Sequence, residues 1–423
     1  MGPVTFKQAV LNRRMLICIF TGLASGMPLY VLVSLVPAWL RSEGVGLKEI
    51  GFFALIGLPY TWKFLWSPLL DRFPLSLAGY RPGLRRGWML GTQILLLAAI
   101  AALGFFNAAS EIWTIAWLCL IIAFLSATQD IVLDAYRRQL LPDHELGLGS
   151  SIHVNAYRIA GLVPGSLSLI LADSLPWHQV FIITAAFMLV GIALTLSIGE
   201  PAVDKRQPST LKAAVTEPFK EFFSRQGTRQ GLAILLFMLL YKLGDSMATA
   251  LATPFYLDLG FSKTEIGLIA KHAALWPMIF GGIVGGLLML RIGINRALWL
   301  FGLVQIVSIL GFALLANVGE GLWLLALVIS FEYLGVGLGT AAFVAYMART
   351  THPAYAATQL ALFTAITAVP RTVASSITGV IVETTGWENF FYLCTALAVP
   401  GMVLLLKVAP WNGAKPALSA DQH

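Results

Sequence analysis

The chain has 423 residues, of which 58% are hydrophobic and only 12% charged, with 28 Lys and Arg against 21 Asp and Glu. Soluble domains carry about 25% charged residues, so this composition excludes an ordinary soluble fold and describes a polytopic membrane protein. The excess of +7 is not a nucleic-acid footprint, because the basic residues gather at the ends of apolar runs.

Apolar stretches of spanning length predict twelve helices, near 14–40, 48–70, 87–106, 112–137, 149–173, 178–198, 230–257, 264–290, 294–316, 321–348, 355–382 and 388–408. The first is too long for a signal-peptide core and reads as a span. Cys18, Cys119 and Cys394 lie inside apolar runs without paired spacing and read as packing residues, with neither disulfide nor metal implied. Twenty Lys and Arg fall in the N-tail, the even-numbered loops and the C-tail, three on the opposite side and five within spans. By the positive-inside rule both termini are cytoplasmic.

The longest polar stretch separates an N-terminal six-helix half, 1–198, from a C-terminal half with a short cytoplasmic tail, 230–423; between them lies a cytoplasmic central loop, 199–229. The halves resemble each other. Trp39-Leu40, Gly44 and Lys48-Glu49-Ile50-Gly51 recur as Phe255-Tyr256, Gly260 and Thr264-Glu265-Ile266-Gly267 at the same spacing, and Ala135-Tyr136 recurs as Ala345-Tyr346. A parallel repeat of this kind signals two rocking halves about a central site. Spans three, six, nine and twelve carry no core charge, with Gln93 and Gln305 as their main polar residues. Every third helix therefore faces lipid and the others surround a cavity. The fold class expected is an all-α polytopic membrane protein with the major facilitator architecture, twelve transmembrane helices in two six-helix halves around a central cavity.

Seven charged side chains fall near the middle of apolar stretches: Lys63, Arg158, Lys242, Asp245, Lys271, Glu332 and Arg371. On insertion scales each costs roughly 2.5–3.5 kcal/mol at the bilayer centre, so a polar cavity is expected there. Five of the seven are cations, and counting Asp130 among the acids still leaves a positive surplus. Simple pairing would balance the two signs; the surplus points to an anionic ligand held by Lys63, Arg158, Lys242, Lys271 and Arg371. Aromatic residues stand beside them, among them Trp62, Tyr157 and Tyr241, and both stacking on sugar rings and ordinary packing are open. His153 and His272 read as structural.

Four motifs carry chemistry. After span two, Ser67-Pro68-Leu69-Leu70-Asp71-Arg72 leads past an insertion to Gly83-Leu84-Arg85-Arg86-Gly87 and resembles the major facilitator loop signature G-x-L-x-D-R-x-G-R-[RK]. The second half keeps Arg291 and has Leu290 where the acid belongs. An acid at a helix end, facing an Arg and a helix N-terminus, latches one side of a transporter between states. Asp71, Arg72, Arg85, Arg86 and Arg291 are therefore gating candidates, the alternative being a topology anchor. In span four, Gln129-Asp130-Ile131-Val132-Leu133-Asp134 sets two carboxylates on one helical face. A partly desolvated carboxyl near cations suits taking up and releasing a proton, or forms a structural pair. In span seven, Lys242 and Asp245 are i,i+3 neighbours that neutralise each other or take part in coupling. Glu332, ahead of the glycine run Gly335-Val336-Gly337-Leu338-Gly339, is read as a proton carrier, a ligand contact or a helix–helix ion pair. Asp130, Glu332, Asp245 and Asp134 are the proton-coupling candidates.

Together these stretches resemble the AmpG-type muropeptide permeases of the major facilitator superfamily. The likeness rests on Thr21-Gly22-Leu23-Ala24-Ser25-Gly26-Met27-Pro28-Leu29, Gly57-Leu58-Pro59-Tyr60-Thr61-Trp62-Lys63-Phe64-Leu65-Trp66 and Gln129-Asp130-Ile131-Val132-Leu133-Asp134-Ala135. It continues through Tyr157-Arg158, Tyr241-Lys242-Leu243-Gly244-Asp245, Phe331-Glu332 and Ala357-Thr358-Gln359 to Arg371. The resemblance implies import of anhydro-muropeptides (GlcNAc–anhydroMurNAc-peptides) from periplasm to cytoplasm across an inner membrane, with Gln129 and Gln359 as further binding residues. Protons would drive it, and the expected partners are an anionic glycopeptide, protons and the lipid bilayer, with no nucleic acid and a monomeric working unit. No cofactor, metal or enzymatic activity is expected, because no Walker A loop, H-E-x-x-H or nucleophile elbow is present. Siderophore uptake is the rival reading, and drug export a more distant one. Reporter fusions test the orientation: fusions near Arg225 and Lys415 should be active only with a cytoplasmic reporter, one near Lys263 only with a periplasmic reporter, and the reverse pattern would refute the charge argument.

Overall fold

The computed structural model describes residues 12–45, 56–76, 83–108, 110–201, 211–261, 265–319 and 321–412, and every regular element among them is a helix. Nine of these helices are long and apolar enough to cross a membrane. One, His272–Val318, has 47 residues. At about 1.5 Å per residue a straight helix of that length would reach roughly 70 Å, more than twice a hydrocarbon core of about 30 Å. The chain turns back at Gly293, where φ is 78 and ψ 166, a conformation that residues with a Cβ avoid. Spans eight and nine are thus two crossings, and Gly386 makes the same turn between spans eleven and twelve within Ala356–Val408.

The internal repeat has a structural counterpart. Span one ends with Gly44 at φ 85 and span seven with Gly260 at φ 90. In each, the residue after the glycine donates back to a carbonyl five residues earlier, Val45 to Leu40 at 3.0 Å and Phe261 to Tyr256 at 3.2 Å, the closing bond of a Schellman cap. Lys48–Gly51 and Thr264, the remaining members of the repeat, lie outside the described residues.

Prolines make the spans irregular where the charges sit. Span one runs Arg13–Tyr30, then a wide turn Val31–Leu35, then Val36–Ser42. Pro28 cannot donate to the Ala24 carbonyl, and Gln129 Nε2 answers that carbonyl at 2.8 Å. In span two Pro68 frees the Phe64 carbonyl, which accepts from Ser67 Oγ at 2.9 Å. The helix there tightens to a 3-10 turn at Lys63–Leu65 between Leu58–Trp62 and Ser67–Arg72. Span seven breaks at Lys242 (φ −104, ψ 6). Wide turns of the kind at Val163–Leu167 in span five and Ile266–Ala270 in span eight recur at functional sites.

The chain forms two compact units, Met1–Phe222 with Met347–Ala365, and Phe223–Tyr346 with Ile366–His423. The first has one core around Val31, Leu35, Trp39, Leu96, Ile122 and Phe181. A second core in that unit joins Leu70, Met89, Val132 and Tyr136 to Ala356, Ala357 and Ala361. The other unit is centred on aromatic contacts, with Phe255 4.8 Å from Phe391 and Phe312 5.2 Å from it. Spans three, six, nine and twelve expose apolar side chains such as Leu95, Leu189, Leu303 and Val403, and so do spans four and ten, at Trp117 and Leu327.

The central loop, read from sequence as a polar connection, contains a helix at Leu211–Gln226. Phe219, Phe222 and Phe223 supply an apolar stripe that polarity averaged over the loop conceals, and Phe222 packs 5.5 Å from Phe363. Substituting Gly44→Val or Gly260→Val should each cost about 1–2 kcal/mol, the left-handed penalty for an L-residue. Gly199→Ala, at a site with nothing within 4 Å, should be neutral. Thermal unfolding in detergent reads the difference, and equal stability of all three variants would rule out the shared cap.

Candidate functional site

The first cluster gathers around Asp71, 1% exposed, which begins the turn after span two. Arg85, 0% exposed, places Nη2 2.6 Å from Asp71 Oδ1. Its Nη1 donates to the Leu70 carbonyl at 3.0 Å and its Nε to Gln139 Oε1 at 3.1 Å. The same carboxylate accepts the backbone N–H of Ala357 at 3.2 Å and of Thr358 at 2.9 Å, and the Thr358 hydroxyl at 2.8 Å. These are orphan donors at the start of Ala356–Val408, so Asp71 answers a guanidinium and a helix N-terminus together. Glu200 steadies Arg85 by accepting the backbone N–H of Arg85 at 2.7 Å and of Arg86 at 3.0 Å.

The remaining gating candidates stand apart from this cluster. Arg86 donates from Nε to the Thr195 carbonyl at 3.1 Å, and Arg72 lies over the Phe73 ring at 4.9 Å. Arg291 is exposed just before the Gly293 turn. Gln359, expected to touch ligand, is placed elsewhere: Nε2 donates to the Pro218 carbonyl and to Glu221, and Oε1 accepts the His352 N–H. With Tyr355 donating to Glu217 at 3.1 Å, it fastens the loop helix Leu211–Gln226 to the start of span eleven.

The second cluster lies in spans one, two and four of the first unit. Ser25 Oγ donates to Asp130 Oδ1. Lys63 is 7% exposed and acts on Asp130 through space, yet makes no ion pair within 4 Å among the described residues. A buried ammonium without a carboxylate in contact is the feature an anionic ligand would satisfy. Asp134 is held by Arg137 at 2.9 Å, the structural pairing. Tyr157 packs 5.8 Å from Tyr30, with half-buried Arg158 near the same ring. Trp62, 52% exposed, stacks on Phe64 at 6.4 Å. Gln129 is committed to the Ala24 carbonyl through its nitrogen.

The third cluster belongs to the second unit. Lys242 Nζ stands 2.7 Å from Asp245 Oδ2, so this cation already has an acid. Glu332, 0% exposed, accepts from Ser308 Oγ at 2.6 Å and feels both Asp245 and Lys242 through space. One proton brings this lysine and two acids to zero net charge. Tyr241 donates to the Leu298 carbonyl at 2.9 Å and stacks on Phe343 at 5.3 Å, which makes it a packing residue. Lys271 and Arg371 lie in helices, and their side chains are outside the described residues.

Ser25, Ser308, Thr358 and Glu200 were not singled out from sequence. Ser25 answers an acid 105 positions away and Ser308 one 24 away, separations that no local spacing reveals.

Helices of this number and apolarity, with charges gathered at a few mid-span points, define a multi-pass membrane transporter fold. The human organic anion transporter MFSD10 shares it, with a TM-score of 0.70 at 15% identity, 93% of this chain and 99% of that chain being covered. Residues 18–375 match the model of the Major Facilitator Superfamily. The anhydromuropeptide permease of Escherichia coli (strain K12) is 42% identical over 93% of this chain and 79% of the relative. An uncharacterised protein of Haemophilus influenzae is 51% identical over 96% of this chain and 97% of its own length. The chain belongs to the major facilitator superfamily, in its AmpG-type permease family.

The Asp71 cluster yields a double-mutant test. Asp71→Asn leaves Arg85 buried and unpaired, which should destabilise by about 3–5 kcal/mol. Asp71→Asn with Arg85→Met should recover part of that loss. Thermal melts of the two variants decide it; a double variant no more stable than the single one would count against the ion pair.

Proposed function

We propose that the chain is a proton-coupled importer of anionic anhydro-muropeptides, GlcNAc–anhydroMurNAc-peptides carried from periplasm to cytoplasm across the inner membrane. In this reading it is a monomer with both termini cytoplasmic. The substrate rests on the 42% identity to a permease whose name states that cargo. The observation that carries the coupling is the buried group of one lysine and two acids, Lys242, Asp245 and Glu332, which a single proton brings to zero net charge.

Alternating access then has defined parts. Lys63 and Arg158 hold substrate carboxylates, joined by Lys271 and Arg371. Loading a proton on the Asp245–Glu332 pair neutralises the group with Lys242, which favours passage through states that exclude water; releasing it leaves one negative charge that demands hydration or rearrangement. Asp130, held by Ser25 and facing Lys63, is the second acid able to link proton and substrate, since a bound carboxylate at Lys63 removes the attraction that Asp130 feels. Asp71, Arg85 and the start of span eleven form the cytoplasmic latch, whose bonds must open for release and close again. Each proton entering down about 100 mV supplies roughly 2.3 kcal/mol, around fifty-fold accumulation.

Proteoliposomes containing the full chain, given labelled GlcNAc–anhydroMurNAc-peptide and an imposed pH gradient, test this directly. Uptake should accumulate label with the gradient, and Asp245→Asn or Glu332→Gln should reduce accumulation from around fifty-fold per proton to simple equilibration. Counterflow exchange should survive in both variants. Gradient-independent uptake by correctly oriented wild-type protein would sink the coupling, and accumulation of an iron chelate in place of the glycopeptide would replace the substrate.

A further inference from the structure

Span nine, apolar along its length, carries one buried amide, Gln305, 4% exposed. Its Nε2 has no hydrogen-bond partner among the described residues, and neither has Asp245 Oδ1. Both residues line one small cavity of ≈ 10 Å³, together with Tyr241 of span seven, Ile309 of span nine, and Ala398 and Met402 of span twelve. That is room for about one water, and far too little for a ligand, whose pockets usually run to about 300–1,000 Å³.

The glycine run of span ten is shaped around this amide. A Cβ on Gly339 would lie 2.2 Å from Gln305 Oε1, and one on Gly335 would lie 3.0 Å from Ser308 Oγ. The run therefore makes room for the two polar side chains of span nine, one of which donates to Glu332. A buried donor and a buried acceptor in one water-sized space, with backbone cleared for the donor, form a built site.

We propose that Gln305 is a positioning residue of the proton site, holding a water in this cavity against Asp245 so that the carboxylate keeps a hydrogen-bond partner when the Asp245–Glu332 pair gives up its proton. The inference rests on the coupling role of that pair. Facing the pair are Lys242 and Tyr241 of span seven, Tyr256 beyond them, Glu332 and Tyr333 of span ten, Ser308 of span nine and Cys394 of span twelve. The carboxylate left behind keeps Lys242 at one oxygen and the Gln305-held water at the other.

In proteoliposomes with labelled GlcNAc–anhydroMurNAc-peptide as probe, Gln305→Leu should lower gradient-driven uptake about tenfold, the worth of a hydrogen bond to a charged group. It should also alter the pH profile of that uptake and leave counterflow exchange unchanged. Gln305→Asn, which keeps the donor, should restore most of the loss, and Met402→Phe, which fills the cavity without touching the amide, should reproduce it. Full gradient-driven uptake in Gln305→Leu, beside its loss in Asp245→Asn, would overturn this inference and leave the coupling role of the pair standing. Retained uptake in Asp245→Asn would overturn that role and this inference with it. Loss of counterflow in both Gln305 variants marks a merely structural amide and also overturns it. If Gln305→Leu fails to fold, Met402→Phe decides alone, and unchanged coupling in that variant refutes the role of the cavity.

Discussion

The hydrocarbon interior of a bilayer offers no partner to a polar group, and each one placed there must be answered by another part of the chain or by enclosed water. Much of this structure follows from that constraint. Pro28 strips the Ala24 carbonyl of its helical donor, and Gln129 reaches from span four to supply one. Pro68 does the same to Phe64, and Ser67 answers from the next turn. Asp71 sits where a guanidinium and the open N-terminus of a long helix both need an acceptor. The helices are pinned to one another at the points where their own hydrogen bonding fails.

The buried charges separate by how completely they are answered. Arg85 and Asp71, and Arg137 with Asp134, meet at ordinary ion-pair distances. Their bonds hold one arrangement and resist another, which suits a latch. Among the described residues Lys63 has no ion pair within 4 Å, and Glu332 and Asp245 are two buried acids served by one lysine. Such groups are stable only with a ligand or a proton added, so their surroundings change free energy when either comes or goes. Transport needs sites of this second kind, and supports of the first kind make them tolerable.

Glycine marks the other half of the design. Gly44 and Gly260 end equivalent spans in the same left-handed cap, and Gly293 and Gly386 reverse the chain between crossings. Gly335 and Gly339 serve a different end, clearing span ten for Ser308 and Gln305. The space a side chain would take on that run is already occupied. The loop helix Leu211–Gln226 was hidden in the sequence, because a stripe of three phenylalanines in a polar stretch has meaning only beside the start of span eleven that it covers.

By itself the sequence determined the membrane class, the twelve apolar stretches, the repeat, and which charges would be hard to bury. These are local properties, read from hydropathy, from spacing and from the energetic penalty of a lone charge. Asp71 with Arg85, and Lys242 with Asp245, were legible because each pair lies within a motif or one turn of helix. Tertiary structure alone decided that Ser25 serves Asp130, that Ser308 serves Glu332, that Gln359 and Tyr241 are tied up in packing, and that Gln305 and Asp245 line one cavity. Those partners lie on different helices, and their meeting depends on how far each helix is kinked and rotated. Hydropathy selects which helix is buried, but it does not select the rotation that turns one oxygen toward another.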